Sequence, residues 1–333
     1  MNSYERVMAR LQGKEVDKIP NLNIVMAFAA KYINIPYSHF AADYRYLVEG
    51  NIKCCEAFGI DVVTAMSDPW REAHSFGAKI IFPEDDIPYC NEKLIKDYAI
   101  VKDLKVKSPF EDERLLDRIR AIELYKKEVG GKYPIVGWVE GALAEAADLR
   151  GVSELMMDLI LEPEAVTELF EKIYEVQYAF MKAQVEAGAD IIGIGDAVAS
   201  LIGPELYCQY ALPYEKRIIQ DIHKLGAQAK LHICGNIEPL LEDIAAAGAD
   251  IVDIDWMVNF EKAVELFKGT RTCACGNMDP VAVFLKGNKE IITREVGKCM
   301  AMADEKTLLA AGCEIPKYTN FENLKLMNSM LYI

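Results

Sequence analysis

The sequence lacks an excess of positive charge, and this excludes a first class of function. Its 37 Lys and Arg residues stand against 52 Asp and Glu residues, which gives a formal net charge of -15. Proteins that bind a nucleic-acid backbone need a basic face, because they neutralise phosphates and release counterions. We therefore predict no nucleic-acid partner and interpret the acidic residues as a solvated surface.

The sequence also lacks long apolar runs. No run approaches the roughly 20 residues that a membrane-spanning helix needs. The start of the chain, MNSYERVMARLQGKEVDKIP, lacks the apolar core of a secretory signal peptide. We therefore predict a cytoplasmic protein with no membrane partner.

A disulfide framework is absent as well, because the nine cysteines are odd in number and irregularly spaced. We interpret them as reduced thiols. Cys54, Cys55 and Cys299 fall in helical patterns and are predicted to be small buried apolar residues. Four cysteines in or at the ends of predicted strands need separate consideration: Cys234, Cys273, Cys275 and Cys313.

What the sequence does contain is a regular alternation of short apolar, β-branched runs with longer helical patterns, typical of repeated βα units. The chain has 333 residues, 52% of them hydrophobic, which suffices for one large core. We predict an α/β fold, a (β/α)8 TIM barrel, formed as a single domain over residues 1–333. The eight strands are predicted at residues 22–26, 60–66, 134–140, 191–196, 229–234, 251–255, 272–276 and 308–313.

Two copies of one helix-to-strand junction support parallel strands. EAGADIIGIGD (186–196) and AAAGADIVDID (245–255) each end a helix at a glycine, the residue that adopts a left-handed C-cap conformation at low cost. A longer stretch, REAHSFGAKIIFPEDDIPYC, follows the second predicted strand. Its alternating apolar residues predict a β-hairpin insertion at about 71–95 that caps the barrel mouth.

In barrels of this kind the carboxyl ends of the strands carry the chemistry. Polar or soft side chains at these ends would all face one mouth. They are Glu140, Asp196, His232, Cys234, Asp255, Cys275, Asn277 and Cys313. The tryptophans Trp70, Trp138 and Trp256 also lie at or just after strand ends, so the mouth is predicted to be aromatic as well as polar.

Three of these residues form a candidate metal site. His232 and Cys234 are two residues apart in LHICGN, so in an extended strand their side chains point to the same face. Cys313 ends the last predicted strand, and the barrel brings it to the same mouth. Two thiolates and one imidazole suit zinc, and three protein ligands leave a fourth position open for catalysis.

Two other interpretations remain open at this point. His232 could be a hydrogen-bonded core histidine beside two ordinary buried thiols. Alternatively, Cys273 and Cys275 of the CACG segment form a competing ligand set, although CACGNMDP is typical of a strand that runs into a turn.

The sequence resembles the uroporphyrinogen decarboxylase superfamily, and within it the zinc-dependent cobamide methyltransferases. This resemblance implies a (β/α)8 barrel whose zinc is held by a His-x-Cys pair and a distant cysteine, which correspond to His232, Cys234 and Cys313. The matching segments span nearly the whole chain: RLQGKEVDKIP, GWVEGALAEAADLRG (137–151), GDAVASLIGPELYCQYALPYEKRI (195–218), LHICGNIEPLL (231–241), GNMDP (276–280) and AGCEIP (311–316).

The resemblance further implies methyl exchange between a small molecule and a methylcobamide, or corrinoid, carried by a partner protein. We favour a methoxy donor such as a phenyl methyl ether, as in O-demethylation, because residues 137–151 look like the donor-side enzymes and the mouth is rich in tryptophan. The alternative is a methylcobamide:thiol methyltransferase of the coenzyme M type.

Two further alternatives are less favoured. A decarboxylase of the uroporphyrinogen type would need arginines to grip substrate carboxylates near the N-terminus, whereas residues 21–34 contain none. A catalytically silent corrinoid-binding protein would need no soft metal site.

The remaining site predictions concern carboxylates and amides. Glu140 and Asp196 are predicted to be catalytic, as a proton donor to a departing phenolate, a substrate clamp or a fourth zinc ligand. Alternatively, each caps a loop amide. A second group of residues is predicted to contact the cofactor: Trp138, Asn236, Asp255 and Asn277. For Asp255 the alternative is that it orients His232.

Overall fold

Seven parallel strands form the central curved sheet of the protein, whose computed structural model describes residues 1–333. Every strand of this sheet pairs with its neighbours in chain order, β1-β4-β5-β6-β7-β8-β9. The remaining two strands form a separate antiparallel pair, β2-β3. The strands are β1 Val63–Thr64, β2 Ile80–Ile81, β3 Tyr89–Cys90, β4 Ile135–Glu140, β5 Ile191–Gly195, β6 Gln228–His232, β7 Ile251–Ile254, β8 Cys273–Met278 and β9 Leu308–Ala311.

Helices connect successive strands, and many begin at an Asp or Asn whose side chain accepts a free backbone N–H, as Asp112 does for α6. They are α1 Ser3–Leu11, α2 Ala27–Tyr32, α3 Tyr37–Ala42, α4 Tyr44–Phe58, α5 Arg71–Phe76, α6 Glu113–Val129, α7 Ala142–Arg150, α8 Val152–Leu161, α9 Pro163–Ala187, α10 Gly203–Leu206, α11 Leu212–Lys224, α12 Leu241–Ala247, α13 Phe260–Phe267, α14 Lys289–Met302 and α15 Phe321–Met330. Short 3-10 turns lie at Tyr98–Asp103, Ala197–Leu201 and Glu238–Leu240, and π turns at Tyr207–Ala211 and Pro280–Leu285.

The two predicted helix-to-strand junctions are confirmed. Gly188 ends α9 with φ 116°, and Gly248 ends α12 with φ 82°, both in the left-handed region. Each is followed within three residues by a buried parallel strand. The architecture is therefore the predicted parallel αβ barrel.

The prediction of a first strand at residues 22–26 was wrong, because this segment forms no regular strand. A single parallel bridge joins Asn21 to Leu309 of β9. On the other side the amide of Asp61 donates to the Asn21 carbonyl at 2.8 Å. We call residues 19–25 the closing segment, since it lies between β9 and the chain leading into β1.

Side chains replace ladder hydrogen bonds in the closing segment. The amide of Asn21 donates to Asp61 Oδ2 at 2.8 Å, and the amide of Ala311 donates to Asn23 Oδ1 at 2.7 Å. A strand whose neighbours bond to its side chains cannot form a continuous backbone ladder. This explains why the barrel closes here with only a bridge.

The predicted hairpin insertion is confirmed as β2 and β3, with Ile80 opposite Cys90. It lies in the connection that leaves the carboxyl end of β1. Its turn meets the connection after β9, because Lys317 Nζ lies 2.5 Å from Asp85 Oδ2. The hairpin thus covers one side of the mouth.

All nine cysteines are free, and Cys54, Cys55 and Cys299 are buried as predicted. None of the helices contains a stretch that is long enough and apolar enough to cross a membrane.

Candidate metal centre

His232, Cys234 and Cys313, which we call the trio, come together at the carboxyl ends of two strands that are not neighbours. His232 is the last residue of β6, and Cys313 follows β9 by two residues. Their ligand atoms all lie within 4.8 Å of one another. His232 Nε2 is 2.9 Å from Cys234 Sγ, which is 3.7 Å from Cys313 Sγ. One soft metal ion fits such a donor set, and zinc is the ion that it suits best.

Asp253 fixes the orientation of the imidazole. It lies opposite His232 in the register of β6 and β7, and its Oδ2 is 2.7 Å from His232 Nδ1. Lys230 Nζ lies 2.6 Å from the same oxygen. Because Asp253 occupies Nδ1, His232 presents Nε2 to the thiols. A carboxylate behind a histidine ligand is the usual arrangement in metal sites.

The three side chains of the trio shift one another's pKa values. The hydrogen bond from Cys234 is the main reason why the pKa of Cys313 falls to about 4, against the effect of burial. Burial lowers the pKa of His232, but hydrogen bonds with Asp253 and Cys313 raise it to about 10. The hydrogen bond with Cys313 raises the pKa of Cys234. A metal ion would displace the protons on His232 and Cys234, since metals take neutral imidazole and thiolate.

Trp138 and Glu140 lie beside the trio in the barrel interior. The Trp138 ring is 5.9 Å from the His232 ring in an edge-on arrangement, and its Nε1 donates to Glu140 Oε1 at 3.1 Å. Gly193 of β5 makes room for the indole, because a Cβ there would lie 2.2 Å from the ring. Burial raises the pKa of Glu140 well above its usual range. Its carboxyl group also accepts a hydrogen bond from Arg71 Nη2 at 3.0 Å.

Asp196 is buried, and its side chain bonds to a helix rather than to the trio. Oδ1 accepts the amide of Ala144 in α7 at 2.8 Å, whereas Oδ2 has no hydrogen-bond partner. Burial raises the pKa of Asp196 to about 7 and also raises the pKa of Glu215 in α11. Burial therefore favours the protonated form of Asp196.

Replacing Asp196 with asparagine is expected to flatten the pH dependence of stability. The pKa of the carboxyl is about 7 in the native state and about 3.9 in an unfolded chain. Between these values the native state binds more protons, so the free energy of unfolding falls as pH rises, by up to about 1.4 kcal/mol per pH unit. Urea unfolding of wild type and Asp196→Asn at pH 4.5 to 7 measures the difference. The exposed Asp86→Asn variant is the control, and equal slopes for wild type and Asp196→Asn would contradict the raised pKa of Asp196.

Asp255 holds the loop that follows Cys234. Its Oδ2 accepts the amide of Gly235 at 2.9 Å, and its Oδ1 accepts the amide of Met257 at 3.2 Å. Asp253, and not Asp255, therefore orients His232. The alternative considered for Asp255 was wrong.

Of the two predicted amides, Asn277 lies in β8 and Asn236 lies in the loop after β6. Asn277 Nδ2 donates to the Val258 carbonyl at 2.9 Å, and Asn277 lines a cavity of about 400 Å³ together with Trp256. Asn236 is exposed, and its Oδ1 accepts the amide of Glu238 at 3.1 Å, which caps the turn after β6. Asn277 thus holds the loop after β7, and Asn236 shapes the loop that contains Cys234.

The competing cysteine pair lies elsewhere. Cys273 and Cys275 are buried within β8, and neither belongs to the group of ligand atoms that meets at the mouth. Burial raises the pKa of both thiols, which disfavours the thiolate that a metal requires.

Sequence reasoning missed Lys230, Asp253 and Glu314. The lysine inside the apolar strand AKLHIC was the sequence signal for a buried ion pair. The pairing of β6 with β7 then identifies Asp253 as the partner of this lysine. Glu314 directly follows Cys313, and one of its carboxyl oxygens is buried without a partner. Burial, together with the charge of Cys313, raises the pKa of Glu314 to about 7.

The chain is similar to known proteins over most of its length. The chain is 30% identical over 332 residues to the methylcobamide:CoM methyltransferase MtbA of Methanosarcina acetivorans, covering 97% of this chain and 95% of the relative. It is 27% identical over 293 residues to the uroporphyrinogen decarboxylase of Carboxydothermus hydrogenoformans, covering 86% and 82%.

A solved structure of a methyltransferase from Methanosarcina mazei shares the fold, with a TM-score of 0.88, 24% identity, and coverage of 99% of this chain and 98% of that one. The family pattern of uroporphyrinogen decarboxylase (URO-D) matches residues 2–331. The chain therefore belongs to the uroporphyrinogen decarboxylase (URO-D) family, and its relatives include the cobamide methyltransferases of that family.

Proposed function

We propose that this protein is a zinc-dependent methyltransferase that moves a methyl group from a methylcobamide, carried by a partner corrinoid protein, to a small thiol. The trio is the observation that supports this most strongly, because three soft ligands leave one position for a substrate sulfur. The relatives named methylcobamide:CoM methyltransferases match nearly the whole chain.

The residues around the trio fit this chemistry. His232, Cys234 and Cys313 would hold the zinc ion, which supplies Lewis acidity that lowers the pKa of a bound thiol. Asp253 keeps Nε2 of His232 aimed at the metal position. Glu314, with an unpartnered carboxyl oxygen next to Cys313, is suited to accept the proton that the thiol loses. The substrate sulfur then attacks the methyl group, and the electron pair of the carbon–cobalt bond stays on cobalt.

The preference for a methoxy donor has less support. It depended partly on a mouth rich in tryptophan, but Trp138 is buried between Glu140 and His232 rather than lining an open aromatic surface. Glu140, the proposed proton donor to a phenolate, is held by Trp138 and Arg71. The thiol acceptor is therefore the proposed substrate class.

Purified protein is expected to contain about one zinc ion per chain and to transfer the methyl group of methylcobalamin to 2-mercaptoethanesulfonate. Metal content is measured by atomic emission, and transfer is followed by the absorbance change of the cobalamin. Parallel assays offer anisole with cob(I)alamin, and uroporphyrinogen alone. Demethylation of anisole without thiol methylation would establish the methoxy function instead, and release of carbon dioxide from uroporphyrinogen would establish a decarboxylase.

A further inference from the structure

Two members of the trio are cysteines whose sulfur atoms lie close to each other. Cys234 Sγ is 3.7 Å from Cys313 Sγ, although the two residues are 79 positions apart in the chain. A disulfide bond is about 2.0 Å long, so the sulfurs need to approach by less than about 2 Å to form one. The fold therefore brings together two thiols that are near bonding distance.

The loops that carry these two cysteines are both held by Asp255. Its Oδ2 accepts the amide of Gly235, the residue after Cys234, at 2.9 Å. Gly312, the residue before Cys313, packs against the backbone of Asp255, because a Cβ on this glycine would lie 3.0 Å from Asp255 Cα. Neither contact involves a ligand atom of the trio, so the two thiols stay neighbours in metal-free protein.

The two thiols are also accessible from outside. Both are partly exposed, whereas five of the other seven cysteines are buried. Reactive cysteines are partly exposed, and buried ones are inert. The remaining two accessible cysteines lie on other parts of the fold, Cys90 in β3 and Cys208 in the π turn Tyr207–Ala211. A small oxidant can therefore reach Cys234 and Cys313 and find a second thiol beside the first.

We propose that Cys234 and Cys313 form a reversible disulfide when metal-free protein meets a peroxide, and that this oxidative modification controls zinc loading. A metal site needs thiolates, and the disulfide leaves His232 as the only ligand of the trio. Zinc bound to both sulfurs protects them in turn. The proposal rests on the proposed zinc site, but not on the identity of the methyl donor or acceptor.

The reaction is balanced with hydrogen peroxide as the oxidant. One sulfur attacks a peroxide oxygen, the O–O bond breaks, and this sulfur becomes a sulfenic acid. The second sulfur then attacks the first, so that the S–O bond breaks and the S–S bond forms. The thiols lose two electrons in total and the peroxide gains them, while the two thiol protons leave in the two water molecules that form. A second thiol beside the oxidised one is common in redox-sensitive proteins.

Peptide mapping without reduction tests the proposal. Metal-free protein is treated with an equimolar amount of hydrogen peroxide and digested, and the peptides are identified by mass spectrometry. We expect the peptide of Cys234 to be linked to that of Cys313, with a mass two hydrogens below the sum of the free peptides. Zinc-loaded protein should give no linked peptide in the same time. Absence of the linked peptide from metal-free protein, or linkage of these thiols to other cysteines instead, would overturn the proposal.

Zinc uptake, measured with a chromogenic chelator, tests the effect on the metal site. Oxidised protein should take up no zinc, and dithiothreitol should restore uptake to about one ion per chain. Cys208→Ala, which removes an exposed cysteine outside the trio, is the control and should keep both the linkage and the zinc response. Cys313→Ala should stop at a sulfenic acid on Cys234, detected as an adduct with dimedone.

Two results separate this proposal from the function on which it rests. Full zinc uptake by oxidised wild type, or equal linkage with and without zinc, would refute control of zinc loading and leave the methyltransferase function standing. A linked peptide in a protein that takes up no zinc even when reduced would refute the zinc function and establish the disulfide site.

Discussion

Cys313→Ala is expected to lose zinc and, with it, methyl transfer. A residue that only orients a metal ligand contributes about 10- to 100-fold to metal affinity, so removal of a ligand itself should cost more than about 100-fold. Cys313 is also the thiolate of the metal-free site, with a pKa of about 4, so its loss removes the charge that attracts the ion. Zinc affinity is measured by competition with a chromogenic chelator, and activity by methylcobalamin consumption.

Cys275→Ala is the matched control for this variant. It removes one buried thiol from a neighbouring strand without touching the trio. Both variants should unfold cooperatively, which separates loss of metal from loss of structure. Full zinc retention by Cys313→Ala, or equal loss in both variants, would show that the trio is not the metal site.

Asp253→Asn is expected to weaken zinc binding about 10- to 100-fold and to destabilise the fold as well. The amide no longer supports the basicity of His232, whose Nδ1 lies 2.7 Å from the present carboxylate. It also leaves Lys230 buried without its counter-ion at 2.6 Å. Breaking a buried pair by removing one partner typically costs about 3–5 kcal/mol. Urea unfolding and chelator competition measure the two effects separately.

The double variant Asp253→Asn, Lys230→Met distinguishes the two roles of Asp253. Methionine removes the stranded charge, so much of the stability should return. Zinc affinity should stay low, because His232 still lacks its carboxylate. Recovery of zinc affinity in the double variant would mean that Asp253 acts on the metal only through Lys230.

The barrel and the trio could be predicted because both follow from local patterns. Strand periodicity places His232 and Cys234 on one face, and the barrel brings Cys313 to the same mouth. The hairpin after β1 was likewise visible in its alternating apolar residues. In each case the inference needs only the sequence near the residues and the topology of the fold.

Partners across strands could not be predicted in the same way. Asp253 and Asp255 lie on either side of Ile254, the last residue of β7. Only the register with β6 decides which of the two meets His232. The bond from the amide of Ala144 to Asp196 depends on how the start of α7 lies against the end of β5. Arg71 gave no signal, because its bond to Glu140 joins segments that are 69 residues apart. Such contacts depend on distances of a few ångströms between distant parts of the chain.

The closing segment has a consequence for how the chain assembles on the ribosome. Strands β4 to β8 can pair with their neighbours in the order in which they emerge, since each bonds to the one before it. The closing segment precedes every strand of the sheet, yet its bridge partner is Leu309 and its first residue, Ile19, bonds to Leu331. Its bonds to Asp61 can form early, but its side that faces β9 has no partner until residue 309 has been synthesised. Closure of the barrel is therefore a late step of assembly.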